Sequence, residues 1–262
     1  MSDRLRFATF NANSIRIRLP QILEWLPRND VDVLCVQETK VQDHEFPAEE
    51  IESLGYHVIY RGQKSHAGVA VITRQEPAEV AFGLDDGGEP DEARLIRLRI
   101  GGLVVVNTYV PQGRSADHEM FAYKLAWFER LRALFERHYT PDERLIWAGD
   151  INVAPEPIDI HDPVRNAEHV DFHPLAREAF KQTCAWGLVD VFRLHHPDEP
   201  DQYSYYDYRV RNAVERAVGW RVDHILATAA LAERCTGAWI DREARLAERP
   251  SDHTMVVADF AL

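Results

Sequence analysis

The run 145–148, Leu-Ile-Trp-Ala, is wholly apolar and ends abruptly at Gly149, after which come Asp150, Ile151 and Asn152. A short apolar run closed by a breaker reads as a buried strand. A carboxylate and an amide therefore stand at a strand's end, and Pro155 and Pro157 carry the chain away as a rigid loop, the usual place for a scaffold to present chemistry. Taken alone, the same residues also fit an Asx turn that merely ends the strand.

The pattern recurs along the chain. Residues 5–10 read as a strand ending in Asn11, Ala12 and Asn13, and 31–36 as a strand stopping at Gln37, Glu38, Thr39 and Lys40. Residues 96–100 and 103–109 flank Gly101 and Gly102 as a hairpin that delivers Tyr109 to a strand end. Asp223 lies in a strand over 222–227, and Ser251, Asp252 and His253 precede a last strand over 254–260. Further strands are expected at 56–60, 68–73 and 188–192, with one more ending at 239–241. Helical spacing of apolar residues predicts helices at 19–25, 47–54, 116–138 and 174–186. No linker-like stretch interrupts 1–262, so one domain of class α/β is expected, with two sheets packed together and helices outside.

Composition narrows the function classes. A formal net charge of −13 excludes nucleic-acid binding by general electrostatics. Any basic groove must be local, built from Arg114, Arg209, Arg211, Arg221 and Lys64, and binding through it should depend steeply on salt. Residues 203–221 supply aromatic side chains beside several of these arginines. Cys35, Cys184 and Cys235 lack CxxC spacing and read as free thiols. The acidic stretch 85–92 reads as a solvated loop, and the turn at Lys64, Ser65 and His66 as either solvated or anion-binding. Asp159, His161, Asp162 and His169 suit a surface loop better than a metal site. With no apolar signal core and no run approaching the ~20 residues of a bilayer span, a soluble, cytoplasmic protein without membrane contact is expected.

Neighbouring strand ends converge, so Asn11, Glu38, Tyr109, Asp150, Asn152, Asp223, Asp252 and His253 can build one pocket. Carboxylates this close repel unless a cation joins them, and oxygen ligands favour Mg²⁺ or Mn²⁺ over zinc.

At these residues the chain resembles the exonuclease III family of abasic-site endonucleases, within the endonuclease/exonuclease/phosphatase superfamily. The resemblance rests on FNANSIRIR from Phe10, QETK from Gln37, GVAV from Gly68, NTYVPQG from Asn107, GDINVAP from Gly149, WGLVDVFR from Trp186, DYR from Asp207, GWRVDHIL from Gly219 and SDH from Ser251. It implies a four-layer α/β sandwich, two mixed sheets with helices on both outer faces. It also implies incision of double-stranded DNA beside abasic sites, with processing of blocked 3′ ends and 3′-to-5′ exonuclease activity. Nothing in the sequence demands more than a monomer. Position by position, it makes Glu38 the main metal ligand, with Asn11 and Asp252 near the metal. Asp150 would activate water and Asn152 align it. His253, paired with Asp223, would steady the phosphate, and Tyr109 would contact a phosphate oxygen. Tyr205, Trp220 and Val222 would wall the pocket for an extruded sugar, with Arg114 and Arg209 on the DNA. Tyr205 and Tyr206 stand where relatives often carry Trp or Phe, and Met255 where proline is frequent. Other members of the superfamily cleave phosphoinositides, sphingomyelin or RNA tails, and degenerate relatives bind nucleic acid without cleavage. Lys40 and the DYR and GWRVD stretches favour the DNA-repair branch, and the complete polar set favours catalysis.

Overall fold

The expected strand at 145–148 is the middle of a longer one, and its side chains alternate between two cores. In the computed structural model, which describes residues 4–64, 66–88 and 93–262, Ile146 and Ala148 face an inter-sheet core while Leu145 and Trp147 face a helix-covered one. Burial on both faces explains why the run shows no polar alternation.

One sheet contains β1 (Arg4–Asn11), β2 (Val33–Gln37), β3 (His57–Arg61), β4 (Val69–Thr73), β11 (Cys235–Ile240) and β12 (Val256–Ala261), in the order β11-β12-β1-β2-β4-β3. The other contains β5 (Ala78–Phe82), β6 (Leu95–Ile100), β7 (Leu103–Tyr109), β8 (Arg144–Asp150), β9 (Leu188–Asp190) and β10 (Asp223–Thr228), in the order β5-β6-β7-β8-β10-β9. Both sheets are mixed: β1 runs parallel to β2 and β7 parallel to β8, while the remaining pairs are antiparallel. Each parallel step is bridged by a helix, α1 (Ile15–Arg28) and α3 (Glu119–His138) respectively. With α2 (Ala48–Glu52), α1 covers the outer face of the first sheet, and α3 with α4 (Pro174–Cys184) covers that of the second. The order helix, sheet, sheet, helix is the expected four-layer sandwich.

Several local expectations change. Strand β5 lies at a sheet edge with most of its residues exposed, so no buried alternation marks it in the sequence. The strand expected over 188–192 stops at Asp190, whose side chain accepts hydrogen bonds from the backbone of Phe192 and Arg193 and caps a short helix, α5 (Val191–His195). A further turn of helix, α6 (Ala229–Ala232), follows β10. All three cysteines are free, with Cys35 and Cys235 buried and Cys184 partly so. Of the acidic stretch 85–92, residues 89–92 lie outside the described residues, as does Ser65 in the turn beside Lys64; residues 85–88 are exposed. No described helix is long and apolar enough to cross a membrane.

Gly149 sits one residue before Asp150 with φ of +141°, and a Cβ there would collide with the Thr108 carbonyl on β7. Alanine would thus meet both a strained backbone and a steric block. Gly149→Ala should cost about 3 kcal/mol of stability in chemical denaturation; unchanged stability would show that β7 and β8 can part there freely.

Candidate active site

The C-terminal ends of β1, β2, β7 and β8 and the N-terminal end of β10 meet on one side of the sandwich, and each contributes a polar side chain. Asn11 ends β1, and its Nδ2 donates to Glu38 Oε1 at 2.8 Å and to Asp150 Oδ2 at 2.8 Å, tying one sheet to the other. Asp150 uses its second oxygen to accept the Asn152 backbone N–H at 3.0 Å. The Asx turn is therefore real, and it leaves the other carboxylate oxygen to face the site. Asn152 donates its amide to the Val110 carbonyl at 2.9 Å. Asp223 opens β10 opposite Asp150 and accepts from His253 Nδ1 at 2.8 Å, while His253 Nε2 lies 3.9 Å from Asp150 Oδ2.

The charges gathered here act on Asp150, His253 and Tyr109. Burial raises the Asp150 carboxyl well above the usual carboxylate range; Asp223 and Glu38 push it the same way, and His253 opposes. Burial works against the His253 imidazolium, yet Asp223 and Asp150 outweigh it and push the ring up to about 10. Burial, then Glu38 and Asp150, also raise the Tyr109 phenol, so it stays a neutral donor. The Arg94 guanidinium lies over the Tyr109 ring, 4.7 Å from its centroid.

A pocket of about 440 Å³ is lined by Glu38, Tyr109, Asp150, Asn152, Asp252 and His253 on its polar side and by Tyr205, Trp220 and Val222 on its apolar side, with Arg209 and Asp207 at the same opening. Short antiparallel bridges join Tyr205 to both Trp220 and His253, which fixes the aromatic wall against the polar one. Asn11 and Asp223 lie buried beneath the lining. Arg114 is exposed and does not line the pocket.

The residues present fit a hard divalent cation. Asp150, Asp223 and His253 bring ligand-type atoms within 4.8 Å of one another, but Asp223 and His253 Nδ1 are already engaged with each other at 2.8 Å. The oxygens of Glu38 and Asp150, bridged by Asn11, are the donors that suit such an ion. Asp252 approaches from the other side through Asn13, whose Nδ2 donates to Asp252 Oδ1 at 2.8 Å. Asp223 Oδ1 is buried and has no hydrogen-bond partner among the described residues, so it keeps an acceptor free at this end of the site.

Two expectations about charge are corrected. Arg221 is fully buried: its Nε donates to Asp159 Oδ1 at 2.7 Å and its Nη1 to Asp190 Oδ2 at 2.7 Å, so it cannot contribute to a basic groove. Asp159, expected on a surface loop, is the buried centre of that network and also accepts from Arg193. Arg209 is exposed but clasped by Asp207. The reading from sequence also missed Lys124, Asp171, Gln37 and Asn107, all buried near the site. Lys124 had a visible signal: it falls three residues after Phe121 and four before Phe128, on the apolar stripe of α3.

Fold and site together are those of a hydrolytic nuclease. The "Endonuclease/Exonuclease/phosphatase family" model matches residues 8–253. Exodeoxyribonuclease III of Haemophilus influenzae is 35% identical, with 98% of this chain and 100% of the relative covered. Among solved structures, an AP endonuclease from Archaeoglobus fulgidus is 50% identical with a TM-score of 0.96, covering 98% of this chain and 100% of that one. The 3′ phosphatase NExo from Neisseria, solved bound to a product DNA hairpin, is 34% identical with a TM-score of 0.94 over 98% and 100% of the two chains. The chain belongs to the exonuclease III family of AP endonucleases, divalent-metal-dependent DNA-repair nucleases of the endonuclease/exonuclease/phosphatase superfamily.

The buried network around Arg221 gives a pH prediction. Burial works the other way, but the Arg221 guanidinium holds the Asp159 and Asp190 carboxyls below the usual range. A depressed carboxyl stabilises the fold fully above about pH 4, and that stability is lost as pH falls towards its folded value. The stability gap between wild type and Asp190→Asn should therefore be constant near neutrality and shrink below about pH 4. A gap that stays undiminished in acid denaturation would remove the electrostatic explanation.

Proposed function

We propose that this chain, acting as a monomeric single catalytic domain in the cytoplasm, incises double-stranded DNA on the 5′ side of an abasic site. It also removes 3′-phosphate and 3′-phosphodiester blocks and degrades 3′ ends as an exonuclease. The observation that carries this reading is the single pocket in which Asp150, Asn152 and the Asp223–His253 pair face a wall of Tyr205 and Trp220. The apolar wall accepts a baseless sugar and disfavours a nucleotide that still carries its base.

Asp150 orients and deprotonates the attacking water, and Asn152, with its backbone closed onto Asp150, aligns it. Water adds to phosphorus, the P–O3′ bond breaks, and the products are a 3′-hydroxyl and a 5′-phosphate on the abasic sugar. The His253 imidazolium, held by Asp223, meets the negative charge on the phosphate oxygens, and the neutral Tyr109 donates to one of them. Glu38 and Asp150, with Asn11 and Asp252 beside them, would hold Mg²⁺ or Mn²⁺. Such an ion neutralises phosphate charge and favours the ionised carboxylates. Arg209 at the pocket mouth and Arg114 outside it provide phosphate contacts along the DNA.

With Mg²⁺, the protein should nick a duplex containing one abasic analogue, and EDTA should abolish the cut. Asp150→Asn should slow nicking by about 10²- to 10⁴-fold. No nicking by the wild type, or an unaffected Asp150→Asn enzyme, would sink the reading. On the same gel, a recessed 3′ end should be degraded more slowly than the abasic duplex is nicked; the reverse order would make exonuclease the main activity.

A further inference from the structure

Lys124 projects from α3 into the interior with no exposed side-chain surface. Its ammonium meets four acceptors: the Asn152 carbonyl at 2.6 Å, the Val170 carbonyl at 3.0 Å, the Gln112 carbonyl at 3.1 Å and Asp171 Oδ1 at 3.0 Å. Those acceptors belong to two connections: Gln112 follows β7, while Asn152, Val170 and Asp171 stand at opposite ends of the long stretch between β8 and α4. Both connections reach the pocket, which Gln112, Asn152 and Asp171 all line. Asp171 closes the arrangement, since its other oxygen accepts from Gln112 Nε2 at 3.2 Å.

We infer that Lys124, with Asp171 as its counter-ion, is a positioning residue that fixes Asn152 and the pocket rim in their working geometry. The inference rests on the abasic-site reading of the same pocket. A buried ion pair is a costly way to stabilise a fold, because an apolar pair of similar size often serves as well. A lysine is well suited to another task, gathering several carbonyls at one point, since it has three donors and no acceptor. Asn152 profits from such a tether. It leaves β8 with φ of +52°, a left-handed turn that asparagine adopts at modest cost, so conformation alone does not fix where its carbonyl and amide point. Lys124 binds the carbonyl of that residue directly, and the Asn152 amide side chain is tied to Val110 in the loop that also carries Gln112. Releasing the ammonium frees both loops together, and displacements near 1 Å at reacting groups can cost about 10²-fold in rate.

The test uses Lys124→Met and the charge-balanced double variant Lys124→Met with Asp171→Asn, which leaves no unpaired ion and keeps a folded protein available if the single variant does not fold. Substrate is a duplex with one abasic analogue, read as kcat at saturating DNA with Mg²⁺ and as affinity in EDTA by anisotropy. Positioning predicts a kcat loss of about 10²-fold in both variants, with affinity near that of the wild type. It also predicts that adding Asn152→Ala to the double variant costs less than Asn152→Ala costs alone. Wild-type kcat in the double variant, or losses that multiply independently with Asn152→Ala, would overturn it, since the lysine would then only balance a charge. Amide hydrogen exchange over 110–114 and 150–154 in the free protein needs no activity. Faster exchange in the double variant supports the tether, and unchanged exchange rejects it. An inactive wild type with a faster-exchanging double variant would instead condemn the abasic-site reading and leave the tether standing.

Discussion

Everything in the site depends on how two sheets are held in register. Apolar faces attract without direction, so packing Phe7, Val71, Ile146 and Ile225 together does not by itself stop one sheet sliding over the other. Buried amides supply the direction. Gln37 on β2 donates to Thr9 on its own sheet and to Asn107 on the other, and Asn107 returns two bonds to the carbonyls of Val36 and Ala70. One step nearer the surface, Asn11 reaches from β1 to Asp150 on β8. In a dry interior an unmade bond of this kind costs about 1–3 kcal/mol, so a slip that broke several would be resisted strongly. Gln37 Oε1 is buried and has no partner among the described residues.

The acidic composition acquires a different meaning once its cations are placed. Counting Lys and Arg treats every one as surface charge. Arg221 and Lys124 are wholly interior, and Arg209 is clasped by Asp207 two residues away. Arg114, Arg211 and Lys64 stay exposed. Any groove for DNA is consequently poorer in positive charge than the segment 203–221 suggests, and discrimination must lean more on the walled pocket than on attraction to the backbone.

Strands buried on both faces were legible because tertiary structure allows them almost nothing but apolar residues; 145–148 and 103–109 are such cases. Strand β5 was illegible because an exposed edge takes its shape from pairing with β6, not from a pattern of its own. The segment after Leu188 misled because Val191 and Phe192 favour strand by type, while the Asp190 cap decides for helix. Site residues at strand ends could be gathered from the sequence as a set, and the pocket brings nearly all of them together. Arg221 was misplaced for a physical reason: a cation beside aromatics reads as surface unless its two carboxylate partners, here 62 and 31 residues away, are known. Lys124 was overlooked by the same habit, although its place on an apolar stripe was visible.

The backbone explains why so many polar groups reach one place. Along a strand, successive side chains point to opposite faces, so neighbouring residues cannot both address one pocket while the strand continues. The exits from β1, β2 and β8 break that rule with left-handed residues: Asn13 at φ 44°, Glu38 at 49°, Lys40 at 55° and Asn152 at 52°. For Asn the cost is modest; for Glu38 and Lys40 it is roughly 1–3 kcal/mol each. Hydrogen bonds hold the conformation, from Ser14 N to the Glu38 carbonyl, Thr39 N to the Gly68 carbonyl and Lys40 N to the Ala67 carbonyl. Glycine would remove the strain at position 38 and with it the carboxylate. That a strained glutamate stands there, hydrogen-bonded through Asn11 to the opposite sheet, argues that the turn serves the side chain and not the reverse.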